Sequence, residues 1–136
     1  MMIGIWKLPV PSTAFLGAGV VFEKRPGREI ALRYEREDST GEPKAEALVF
    51  EGVESFKCTY GQACGDWVLP AYDQLVEVTE SAWAEEVATQ LRKGGRAQPP
   101  LRHLMIYFDD GPCYEAICRA FRVEALIPAL GRMLPE

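Results

Sequence analysis

The sequence predicts an α+β fold: a curved antiparallel sheet of about six strands with one main helix packed on one face. Three observations predict it. Residues 29–36 alternate, with Ile30, Leu32 and Tyr34 on one side and Glu29, Arg33 and Glu35 on the other, which is the period of a half-buried strand. Trp83, Val87 and Leu91 recur every four residues, the spacing of an amphipathic helix. Turn-forming clusters punctuate the apolar stretches, at Arg25-Pro26-Gly27-Arg28 and Asp109-Asp110-Gly111-Pro112, as antiparallel connections require.

Met1 to Phe15 is apolar, contains Trp6 and is broken by Pro9 and Pro11. It is too rich in proline for a helix and is expected to lie extended across the domain's own core, with a homodimer contact as the second reading. Val20 to Lys24 reads as a strand, paired through the Pro-Gly turn with the strand at 29–36. Glu37 to Lys44 is a polar loop. Ala45 to Tyr60 is rich in β-favouring residues with Gly52 in its middle, so it is one bulged strand or two strands bent at the glycine. Gly61 to Gly65 is a connection, and Trp67 to Val78 is expected to be extended, with Pro70 marking an edge or a break.

Thr79 or Ser81 caps a helix over residues 81–93, with Trp83, Val87 and Leu91 as its buried stripe. Glu85 and Glu86 near its start and Arg92 and Lys93 near its end suit the helix dipole. Gly94-Gly95 ends it and Pro99-Pro100 blocks resumption. Leu101 to Phe108 and Cys113 to Val123 are expected to form a hairpin. A helix over 113–121 is the competing reading, because Tyr114, Ile117, Cys118 and Phe121 also fall at helical spacing. Residues 124–134 are expected to hold one or two helical turns.

The chain of 136 residues fits one domain, residues 1–136. Apolar residues make up 48% and charged residues 26%, a globular balance that excludes wholesale disorder. The formal charge of -5 is spread evenly, with eight bases and ten acids in residues 1–68 and seven and ten in 69–136. No basic face is concentrated enough to attract nucleic acid or anionic lipid. No apolar run reaches the ~18 residues of a membrane span. Pro9 and Pro11 interrupt the stretch where a signal peptide would need its apolar helix, so a cytoplasmic location is expected.

Four cysteines, Cys58, Cys64, Cys113 and Cys118, are expected to be free thiols there. A disulfide framework is the alternative that an even count leaves open. Zinc is disfavoured by spacing: Cys58 and Cys64 are six positions apart and Cys113 and Cys118 five, against the two to four residues of a usual knuckle. Positions five apart point to opposite faces of a strand, and no cofactor is expected.

One constellation carries chemistry. A two-residue turn at Asp110-Gly111 would pair Tyr107 with Tyr114 and His103 with Cys118, placing their Cβ atoms about 5 Å apart. That is the minimum arrangement for an activated thiolate, although no third residue orients it and no glycine-rich turn supplies an oxyanion hole. The same register sets Glu115 on an apolar face, where it needs solvent or an arginine such as Arg33, Arg102 or Arg119, or is desolvated. His103, Tyr107, Tyr114, Glu115 and Cys118 are therefore the candidate ligand-binding residues of a pocket against the hairpin. No residue is assigned as catalytic.

Asp73, Glu77, Glu80, Glu85 and Glu86 form an acidic run with no intervening base. It is usually a solvated face, and it is also the feature that would suit a basic partner protein. Phosphate-binding loops, His-Glu-x-x-His and Gly-x-Ser-x-Gly are absent from the sequence. The leading reading is a non-catalytic cytoplasmic module that binds another protein. The alternative is a small-molecule-binding or enzymatic domain using the hairpin pocket.

Overall fold

The computed structural model describes residues 1–96, 100–109 and 111–127. The chain runs β1 (Met2–Lys7), β2 (Val21–Arg25), β3 (Glu29–Glu37), β4 (Pro43–Glu51), β5 (Ser55–Thr59), β6 (Gln74–Val78), α1 (Ala82–Lys93), β7 (Arg102–Tyr107), β8 (Cys113–Cys118) and β9 (Ala120–Leu126). Short 3-10 turns at Ser12–Ala14, Gly61–Ala63 and Asp66–Ala71 lie between them. The class is α+β with antiparallel pairing and one main helix. The single sheet of about six strands is corrected to two: a five-stranded sheet in the order β1-β6-β7-β8-β5 and a four-stranded sheet in the order β2-β3-β4-β9.

The two sheets share a core. Ile30, Leu32, Leu48 and Phe50 from one meet Leu75, Leu104, Ile106, Phe108, Tyr114, Ala116 and Cys118 from the other. Each core strand contributes alternate residues, which is why the alternation in residues 29–36 was readable. The chain passes between the sheets three times, twice with almost no loop between the strands. Gly52 takes φ +62° between β4 and β5, and a Cβ there would lie 2.9 Å from the Arg119 side chain, so the chain bends at the glycine and divides residues 45–60 between the sheets. Arg119 is the other short switch, between β8 in the larger sheet and β9 in the smaller. The single strand expected over 113–123 is thus two.

Other expectations are adjusted. The first segment is an edge strand, β1 on β6, and Ile5, Trp6, Leu8 and Phe15 pack on the core. Residues 66–71 form a 3-10 turn rather than extended chain, with Val68 and Ala71 buried beneath it. No residue of α1 is fully buried; Trp83, Val87 and Leu91 are only half-buried, because the helix touches the outer face of the larger sheet without a second layer over it. Glu124, Ala125 and Leu126 belong to β9 instead of a helical turn. Residues 128–134 of that expectation lie outside the described residues. No helix among the described residues is long and apolar enough to cross a membrane.

Candidate functional site

The β7–β8 register decides the site. Tyr107 pairs with Cys113, Ile106 with Tyr114, Met105 with Glu115 and His103 with Ile117. This is one residue off the expected pairing, and a one-residue slip exchanges every face. Its cause is the connection. Phe108 turns into the core at 2% exposure, and the Gly111 N–H donates to the Phe108 carbonyl at 3.0 Å. Five residues, 108–112, therefore link the strands, an odd number where a two-residue turn was expected; Asp110 itself lies outside the described residues. The strand reading of 113–118 holds over the helix reading.

The five hairpin residues are accordingly divided. Tyr114 and Cys118 face the inter-sheet core, where Tyr114 packs on Phe56 and Phe108 at ring distances of 5.9 and 6.0 Å. Burial pushes the Cys118 thiol up to about 12, the reverse of an activated thiolate. His103, Tyr107 and Glu115 face outward, toward α1 and the 66–71 turn. The His103–Cys118 dyad does not form, and the five residues do not line one pocket.

The slip builds a different group. His103 Nε2 lies 2.8 Å from Glu115 Oε1, and His103 Nδ1 lies 2.8 Å from Ser81 Oγ. Ser81 caps α1, its hydroxyl oxygen accepting the Ala84 N–H at 3.0 Å. A carboxylate only accepts, so Nε2 carries the proton toward Glu115, and in the neutral ring Nδ1 accepts the Ser81 hydroxyl. Glu115 has found a histidine rather than Arg33, Arg102 or Arg119. Trp83 roofs the ring edge-on at 5.1 Å, and the Lys57 ammonium lies 4.1 Å from the centroid of the Trp83 ring. Imidazole and carboxylate side chains are 10% and 7% exposed. With both ring nitrogens engaged and little surface open, this chain of hydrogen bonds ties the helix cap to the sheet.

Sequence reasoning identified Ser81 as a cap and both buried polar residues, but paired them wrongly. It missed the surface beside them. Segment 60–72 buries Val68 and Ala71 and leaves Tyr60, Trp67, Leu69 and Tyr72 exposed by 71, 45, 60 and 41%. Tyr72 packs on Tyr107 at 6.0 Å, and its hydroxyl donates to Asp109 at 2.8 Å. A signal existed in the alternation Trp67-Val68-Leu69, with Gly65 and Pro70 nearby to prevent a long strand.

The acidic run is unevenly exposed. Asp73 is half-buried and accepts hydrogen bonds from the Ser12 amide and hydroxyl. Glu77 pairs with Arg102 at 2.8 Å. Only Glu80, Glu85 and Glu86 are exposed. Among the described residues, no three His, Cys, Asp or Glu side chains gather as a metal site would need. Comparison with protein-family models, curated proteins and solved structures found no match to this chain.

Proposed function

We propose that this chain is a protein-binding module whose contact surface is the aromatic ridge of residues 60–72. One observation carries the reading: a single covering segment turns four large apolar side chains, Tyr60, Trp67, Leu69 and Tyr72, toward solvent. Tyrosine and tryptophan are enriched in interface cores because they supply rigid apolar area with a polar tip. The exposed carboxylates of Asp66 and Asp109 lie in or against the ridge, and the chain is acidic overall. The partner fitted to it is a protein segment combining apolar side chains with a basic one. The acidic partner surface is thereby moved from the run at 73–86 to the edge of the ridge.

Affinity capture from the cell of origin tests this with three forms of the protein. The wild type and a Val21→Ser/Val123→Ser control, which alters exposed apolar residues elsewhere, should retain the same discrete partner. The Trp67→Ser/Leu69→Ser form should lose it. Equal retention by all three, or no discrete partner on the wild type, would overturn the proposal.

A further inference from the structure

At one end of the inter-sheet gap, the β2–β3 turn and residues 53–56 enclose a cleft of about 420 Å³, within the size range of small-molecule sites. Its walls include Ile30, Val53 and Phe56, and its mouth carries Lys24 and Arg28. The Glu54 carboxylate lies at its base with a side chain 7% exposed. Arg28 Nη1 reaches both Glu54 oxygens at 2.9 Å. Arg119 Nη1 donates to the same carboxylate at 2.8 Å, and Arg96 Nη2 lies 3.9 Å away. Two other charged residues of the lining are turned to ion pairs elsewhere: Arg25 to Glu23 and Glu124, and Glu29 to Arg122.

The charge balance is therefore one-sided. Three cations, Arg28, Arg96 and Arg119, converge on the Glu54 carboxylate, and Lys24 lines the same cleft, in a chain whose total charge is -5. Lys24 makes no ion pair among the described residues, and it pairs with Ile30, whose side chain is in the core, so the two share the face toward the gap. Arg28 takes φ +60°, a conformation that a glycine would adopt at less cost. Backbone bonds fix the lining segments in place: the Val53 N–H donates to the Arg28 carbonyl at 2.9 Å and the Glu54 N–H to the Ile117 carbonyl at 2.8 Å. A planar guanidinium fork beside an ammonium is the chemistry that recognises a phosphate dianion, and the apolar wall accepts a ring or acyl body.

We propose that this cleft binds a small organic phosphate monoester, its phosphate held by Lys24 and Arg28 at the mouth and its apolar body laid against Val53 and Phe56. Glu54 acts as a positioning residue that fixes the guanidinium of Arg28. The inference does not depend on the ridge, which lies on the other sheet face.

Phenyl phosphate is the probe, with inorganic phosphate and phenol as comparators, in amide chemical-shift titrations at low and high salt. The expected result is saturable binding of phenyl phosphate, with shifts at Arg28, Val53 and Phe56 and an affinity at least tenfold above either comparator. Lys24→Gln, which leaves every Glu54 ion pair intact, and Arg28→Gln should each weaken it at least fivefold, and added salt should weaken it further. Lys44→Gln, at the β3–β4 end of the smaller sheet away from the cleft, should leave it unchanged. Absence of saturation, shifts centred elsewhere, or equal weakening by Lys44→Gln would overturn the proposal.

Discussion

His103 and Glu115 meet diagonally across the β7–β8 hairpin, Nε2 to Oε1 at 2.8 Å, because Glu115 lies directly opposite Met105 and His103 directly opposite Ile117. The pair is buried between the larger sheet and Trp83, so neither member has water to replace a lost partner. Breaking a buried pair strands the remaining polar group, whereas replacing both by apolar residues does not. His103→Leu should cost about 3 kcal/mol in urea unfolding, and His103→Leu/Glu115→Leu clearly less than the sum of the singles. Additive losses would mean that the two side chains do not interact.

The helix prediction follows from its half-burial. Trp83→Ala removes the ring that covers His103 and carries the Lys57 ammonium. The loss should be about 2 kcal/mol, below the 3–5 kcal/mol of a fully buried tryptophan. A cost under about 0.5 kcal/mol, as for an ordinary surface position, would place the helix off the sheet.

How much of this was readable from the chain differs by element. The Glu29–Glu37 strand, the Pro-Gly turn before it and helix α1 each carry a local period or cap, so local chemistry determines them. The two short sheet switches do not. At Gly52 and Arg119 the strand-like composition continues while the partner strand changes, and only long-range pairing decides that. The hairpin parity was hidden for a related reason: Asp110-Gly111 favours a short turn, but five residues, 108–112, connect the two strands. That one-residue slip converted an imagined His103–Cys118 dyad into the His103–Glu115 pair. The cleft was hidden because Arg28, Glu54, Arg96 and Arg119 are dispersed along the chain.

Cysteine reactivity should follow burial. Cys58 is exposed and Cys64 half-buried, while Cys113 and Cys118 are buried, and burial raises the thiols of Cys58, Cys113 and Cys118. In a thiol-specific dye at pH 8 without reductant, two thiols should react in the native protein and four after unfolding. Four fast native thiols, or fewer than four on unfolding, would contradict this placement.

Acid should loosen the β3–β4 connection. Hydrogen bonds from the Thr40 hydroxyl and amide and from the Glu42 amide lower Asp38 to about 2. A group whose folded pKa is depressed stabilises the fold above its unfolded value, and that contribution is lost as pH falls through the folded one. Thermal stability should therefore decline between about pH 4 and pH 2, and Asp38→Ala should flatten this decline while lowering stability at pH 6. Parallel pH profiles for the two proteins would contradict the assignment.

The central functional claim is that the 60–72 ridge is the surface a partner protein touches. Site-specific photo-cross-linking reads this most directly, with a benzophenone side chain placed at Trp67, at Leu69 or, as control, at Val123, and irradiation in the cell of origin. The account predicts one discrete protein adduct from Trp67 and from Leu69, absent at Val123. No adduct from either ridge position, or the same adduct from Val123, would contradict it.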